Sequence, residues 1–173
     1  VDTCTYKAFG DEVHPEYACF VDGTDETARR YVSIIAVALD QIKKNNDEKF
    51  DRSNFIKNVI LDNILPGDIY IKSRELRFNN DATRVVFIIR VAEHTDVSVF
   101  DVVQNFFPDK TKDFVISISE TDIALVKEVR PNVDSKDLEK LAQSICDTLS
   151  TEFYCKAVVG IGTCVTGIKD LAK

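Results

Sequence analysis

The 173-residue sequence contains no methionine, not even at its first position, and only two histidines. His14 and His94 lie at ligand spacing to no cysteine, and neither is placed by its spacing to activate Cys164 or Ser119. A Ser-His-Asp or Cys-His nucleophile site therefore has no support, and both histidines read as solvent-exposed loop residues. The five cysteines (Cys4, Cys19, Cys146, Cys155 and Cys164) are odd in number and form no CxxC pair. That excludes a disulfide framework and a zinc site; small buried thiols in a reducing cytosol are expected instead. Long apolar runs are also missing. The stretch "YVSIIAVALDQI" falls short of the roughly 18 residues of a membrane span and lacks the basic flank of a signal peptide. Positive charge is scarce relative to negative, with a net charge of −7. Arg29, Arg30, Lys43, Lys44, Lys72, Arg74 and Arg77 are interspersed with acids, which suits solvated helix faces and not a phosphate-gripping patch.

What is present is ordinary for a globular chain: 45% hydrophobic and 29% charged residues. "VDTCTYKAF" and "YACFVDG" read as two strands around the polar turn "GDEVHPE". Two strands cannot bury a core alone, so residues 1–23 are expected to be the edge of a sheet completed elsewhere. From Thr24 the period becomes helical. Thr24 or Asp25 can cap, and Ala28, Tyr31, Ile35, Ala38 and Ile42 recur at three- and four-residue steps. After the polar stretch "KKNNDEKFDRSN", Phe55, Val59, Leu61 and Ile64 resume an apolar face. Two readings stand: one long helix acting as a connector or dimer seam, or two core helices broken near Asn45-Asn46. Pro66-Gly67 punctuates, and "DIYIKSRELRF" makes a further short helix with Ile69, Ile71 and Leu76 as its apolar positions.

Beyond Asn79-Asn80 the order of elements is distinct. "TRVVFIIRV" has the near-continuous apolar run of a strand covered on both faces. "VSVFDVVQNFF" forms an amphipathic helix with Val99, Val102, Val103 and Phe106 inward. "DFVISISE" and "DIALVKEV" are strands joined by a tight turn at Glu120-Thr121. "SKDLEKLAQSICDTLSTEFY" is a helix capped by Ser135, with Leu138, Leu141, Ile145 and Leu149 on one face, and "KAVVGIG" is a last strand. The order βαββαβ predicts an α+β, ferredoxin-like sheet with both helices on one face.

The glycines of "GIGTCVTG" stand where a dinucleotide fingerprint would, but Val165 occupies its third position and no phosphate-loop lysine follows. Gly160 and Gly162 read as tight packing at a strand end. The acids of the turn, Glu120 and Asp122, are candidates for holding a metal-bound phosphate, with Glu93 the nearest third carboxylate. A solvated turn is the plainer reading.

The stretches "EKFDRSNFIKNVILDNILPGDIYIKSRELRF", "RVVFIIRV" and "VVGIGTCVTGIKDLAK" resemble the central region of bacterial transcriptional regulators of the PucR/CdaR type, named for purine catabolism and sugar diacids. The resemblance covers roughly residues 25–173. It implies an N-terminal sensor, a linker helix, a GGDEF-like domain and a C-terminal helix-turn-helix that binds DNA. It also implies that the chain is a fragment, as its first residue Val1 and its short closing helix from Ile168 suggest. In active diguanylate cyclases a Gly-Gly-Asp/Glu-Glu-Phe turn admits nucleotide and binds metal. Here that turn falls on Ser119, Glu120, Thr121 and Asp122, without either glycine, and Arg90 and Val91 stand where the first strand should end in aspartate.

The expectation is a non-enzymatic, cytoplasmic fragment with no cofactor and no metal. It would comprise a sensor remnant (1–23), a helical connector (24–78) and a degenerate GGDEF-like domain (79–173). Tyr31, Ile35, Ala38 and Ile42 would pack the connector, as a dimer seam or as core. The partners are a second copy, an unidentified small-molecule effector and, through a domain outside this chain, DNA, with no membrane. The alternatives are a divergent nucleotide-binding or cyclase-type enzyme using Glu93, Glu120 and Asp122, and a plain dimerisation module.

Overall fold

The computed structural model describes residues 3–11, 13–92 and 98–172. Val1, Asp2, Glu93 and His94 lie outside the described residues. The chain divides into two compact units, Val1–Phe50 and Asp51–Lys173.

In the first unit, β1 (Cys4–Phe9) and β2 (Tyr17–Asp22) pair antiparallel with each other. Phe9 lies opposite Tyr17 and Tyr6 opposite Phe20, with ring centroids 5.6 and 5.8 Å apart. Asp25 settles the capping question: its Oδ1 accepts the Ala28 N–H at 2.7 Å and opens α1 (Glu26–Ile60). This helix runs for 35 residues without a break at Asn45-Asn46. No Gly or Pro interrupts it. Its polar middle is held by contacts one turn apart: Gln41 to Asn45 at 3.0 Å, Lys44 to Asp40 at 2.8 Å and Lys43 to Asp47 at 3.1 Å.

The buried line on this part of α1 is Ala28, Val32 and Ala36. The larger residues of the expected stripe are outside: Tyr31 is 57% exposed, Ile35 40% and Ile42 55%, and Ala38 is exposed too. Their reading as core is therefore overturned. The short side chains on the inner face let a strand come close, and the Cys19 thiol reaches the Val32 carbonyl at 3.8 Å.

The second unit is a mixed α+β domain. α2 (Pro66–Glu75) follows the last turns of α1, with Pro66 pre-set for the first helical position. Ile69 and Ser73 form its inward face, while Ile71 is exposed, contrary to expectation. Then come β3 (Thr83–Val91), α3 (Val99–Phe106), β4 (Phe114–Ser117), β5 (Asp122–Val129), α4 (Ser135–Phe153), β6 (Ala157–Ile161) and β7 (Val165–Thr166). A 3₁₀ turn, Ile168–Asp170, takes the place of the expected closing helix. All pairings are antiparallel, in the order β4-β5-β3-β6, with β7 also on β3. From Phe87↔Ile161 to Thr83↔Thr166 the pairing advances four residues on β3 but five on the other strand, which is a bulge. Gly162 sits at it: a Cβ there would come within 3.1 Å of the Val86 carbonyl, so the close-packing reading holds at Gly162. Gly160 has more room, its nearest neighbour at 3.9 Å.

Alternation along β3 builds two cores. Val85, Phe87, Ile89 and Val91 face α3 and α4, where Val103, Ile145 and Leu149 are buried with them. The cap of α4 is Asp134, whose carboxylate accepts the Lys136 N–H at 3.1 Å; Ser135 is the first helical residue. On α3, Phe107 is buried and Phe106 is partly exposed, the reverse of the expected inward position. The opposite face of the sheet is covered by Phe55, Ile56 and Val59 from the end of α1, Ile69 from α2, and Ile168 and Leu171 after β7. These pack on Phe78, Phe114, Ile116, Ala124 and Val126. The coverage is partial. Towards the C-terminal end of β3 this face opens, leaving Ile88, Arg90 and Val158 accessible.

Arg84 is buried on this second face, pairing with Glu128 at 3.4 Å and donating to the Asn79 carbonyl at 2.9 Å. Burial holds its guanidinium below the usual value, with Glu128 opposing that shift. Only Cys155 among the thiols is buried; Cys4, Cys19 and Cys146 are half-buried and Cys164 is exposed. His14 is exposed, as expected.

Candidate functional site

The chemistry-bearing turn lies between β4 and β5, at the open end of the second sheet face. Its form follows from local hydrogen bonds. Ser119 Oγ accepts the backbone N–H groups of Thr121 at 3.2 Å and Asp122 at 3.0 Å, while the Asp122 carbonyl accepts from Ile118 and Ser119. The Thr121 carbonyl accepts the Val91 N–H at 2.9 Å, tying the turn to the end of β3. Ser119 thus does structural work that needs no glycine, and the turn closes with ordinary side chains. Glu120 projects into solvent.

Asp122 is not free. It is the residue directly opposite Arg90 in the β3–β5 register. The guanidinium grips both its oxygens, Nε to Oδ1 at 2.7 Å and Nη2 to Oδ2 at 3.0 Å. The bond to Arg90 holds the Asp122 carboxyl below the usual carboxylate range, and Ser119 acts in the same direction. In return, Asp122 raises Arg90 above its ordinary value.

The expected residues are therefore assembled at one place, but as a closed ion pair and not as a ligand set. A divalent cation needs several oxygen donors with lone pairs to spare. Arg90 neutralises the charge of Asp122 and occupies one acceptor site on each of its oxygens, Ser119 spends its lone pairs on backbone N–H groups, and Glu120 is left as a single carboxylate. The described residues of the hairpin do not fit a metal. No group of three or more His, Cys, Asp or Glu side chains among the described residues could hold one. Glu93, the third acid considered, lies outside them.

A family model for the GGDEF-like domain matches residues 63–173, more than half of the chain. The chain belongs to the GGDEF-like domain family. None of the curated proteins and none of the solved structures matches it significantly. The match starts at residue 63, so α2 lies within the GGDEF-like domain, and the compact unit begins earlier still, at Asp51. Both starts fall well before the expected boundary at 79. Phe55, Ile56 and Val59 from the last turns of α1 and Ile69 from α2 help cover the second sheet face. Among the described residues no helix is long and apolar enough to cross a membrane.

The Arg90–Asp122 clasp is not written in the local sequence. Arg90 stands where the resemblance implies an aspartate, and Asp122 is one of the two candidate acids of the turn. Their partnership depends on the register between strands that are not neighbours in sequence. The only available signal was the coincidence of a lost acid with a gained base at the same strand end.

Proposed function

We propose that this chain is a non-enzymatic regulatory module of the PucR/CdaR type. In this reading it works in the cytoplasm as a homodimer, with a ferredoxin-like, catalytically degenerate GGDEF-like domain. α1 serves as the connector that carries the state of a sensor, set by a small-molecule effector, towards DNA binding by a helix-turn-helix outside this chain. A ligand acts on such a relay only by preferring one arrangement of the connector over another.

The observation that carries the reading is the outer stripe of α1. Tyr31, Ile35, Ala38, Ile42 and Asn45 follow one another at steps of four, three, four and three, the seam of a helix pair. The positions flanking that seam, Ile34, Leu39, Gln41 and Asn46, carry no charge. Every charged residue from Arg29 to Asp47 falls at the positions remote from the seam: Arg29, Arg30, Asp40, Lys43, Lys44 and Asp47. A stripe this apolar and exposed is what a second copy of the same helix covers, and like charges would not meet across it. Asn45, a polar residue in the seam, is the kind of position that sets register at some cost in stability. The Arg90–Asp122 clasp argues in the same direction against cyclase chemistry.

Sedimentation velocity over a range of concentrations tests this. A dimer is expected, and Ile35→Asp with Ile42→Asp should convert it to a monomer that keeps its helical content. A monomer at about 100 µM with no difference between parent and variant would sink the relay. A rise in melting temperature with GTP and Mg²⁺ would instead favour the cyclase-type alternative, because a ligand specific for the folded state must stabilise it.

A further inference from the structure

A cleft of about 320 Å³ opens within the second unit, between α2, the turn ahead of β3 and the segment joining β7 to the 3₁₀ turn. Its lining includes buried Ile69 and Ile168, together with Ser73, which is 1% exposed and whose hydroxyl already donates to the Tyr70 carbonyl at 2.9 Å. Polar groups from separate chain segments converge on the rim. Asp81 comes from the turn before β3, Lys169 from the 3₁₀ turn and Tyr70 from α2.

Some opposite charges of the same unit pair closely, as in Lys127–Asp113 at 2.7 Å, Arg90–Asp122 and Arg84–Glu128. Asp81 and Lys169 line one cleft with opposite charges, yet they form no ion pair with each other or with any other described residue. A carboxylate and an ammonium held apart along an apolar lining make a slot with two poles. The complement is a compact molecule bearing one cation and one anion on an apolar body. A ligand with a single charge satisfies one pole and leaves the other no better placed than in water. A zwitterion satisfies both, and its apolar part covers Ile69 and Ile168.

We propose that this cleft is a binding site for a small zwitterion of the α-amino-acid class, its ammonium on Asp81 and its carboxylate on Lys169. The phenol of Tyr70 stands at the rim to cover the ligand. Arg74 packs over the Tyr70 ring at 5.8 Å and so holds the ring that flanks the entrance. Gly167 lines the cleft with backbone alone, in a conformation (φ +101°) that side chains rarely adopt. Binding here does not depend on dimerisation through α1, so either idea can fail without the other.

The test is an amide-shift titration of the whole chain by ¹H–¹⁵N correlation spectroscopy, with L-leucine as the probe. Isoamylamine, which lacks its carboxylate, and 4-methylpentanoate, which lacks its ammonium, are the matched controls. Saturable shifts should gather in α2, around Asn80-Asp81 and along Thr166–Lys169, with each control at least about tenfold weaker, since each loses one charge-assisted contact. Asp81→Asn and Lys169→Gln should each weaken L-leucine by a similar factor. Both side chains are exposed, so the parent's melting temperature and spectrum are expected to persist and a loss of fold can be told from a loss of binding. No saturable shift up to about 10 mM L-leucine, shifts located elsewhere, or equal binding of the singly charged controls would each overturn the assignment.

Discussion

Ile42 and Ile56 are the same residue type in the same uninterrupted helix, yet one is 55% exposed and the other 0%. Truncating each to alanine therefore separates burial from helix propensity, because the few tenths of a kcal/mol that alanine gains in a helix is common to both. Ile56 lies among Phe55, Val59, Phe78 and Phe114, a cluster of large side chains with little freedom to collapse into the space left behind. Ile→Ala in such a place costs about 3–4 kcal/mol, within the range for buried aliphatic truncations. With a urea slope of about 2 kcal/mol/M for a domain of this size, the midpoint for the second unit should fall by roughly 1.5–2 M. At Ile42, in dilute protein, the change should stay within about 0.5 kcal/mol, the usual range for surface sites. The sequence has no tryptophan, so the helix signal in circular dichroism is the probe. Repeating the titration at higher protein concentration adds a second readout: a cost at Ile42 that grows with concentration is the mark of a seam between copies. Equal shifts for the two variants in dilute protein, or a loss below about 1 kcal/mol at Ile56, would refute the assignment of the end of α1 to the domain core.

Two further outcomes follow from the same geometry. Carboxyl titration by NMR should find Asp122 ionising below the ordinary value of 3.8, and Arg90→Gln should move it back up. Because the folded value is depressed, the stabilisation from this pair is complete above the unfolded value and is lost as pH falls through the folded one; an unmoved Asp122 in the variant would show that Arg90 is not its partner. Thiol labelling at mildly alkaline pH should modify exposed Cys164 first. Cys146 and Cys155, whose thiols burial pushes up, should react only slowly until the fold opens. Fast labelling of Cys155 in the native protein would contradict its buried position.

Much of the architecture was legible in residue order. The apolar run of β3 announced a strand covered on both faces, and the periodicity of α4 announced its inner face down to Leu138, Ile145 and Leu149. The hairpin residues Ser119 to Asp122 were located by counting elements. Such features are local: a strand or helix that buries one side writes its period into its own sequence.

What the tertiary structure alone decided are the relations between distant segments. Both Tyr31/Ile35/Ala38/Ile42 and Ala28/Val32/Ala36 repeat at helical spacing, so period could not say which stripe the hairpin would cover. The answer depended on which side chains are small enough for a strand to approach. The end of α1 and all of α2 read as connector, because their role as the lid of a second core exists only once the sheet they cover is in place. The Arg90–Asp122 clasp depends on β3–β5 register, and the cleft flanked by Asp81 and Lys169 depends on a turn and a 3₁₀ segment meeting beside α2. Periodicity encodes which face of an element is buried, but the identity of the covering partner is set by packing between segments far apart in the chain, to which local pattern is blind.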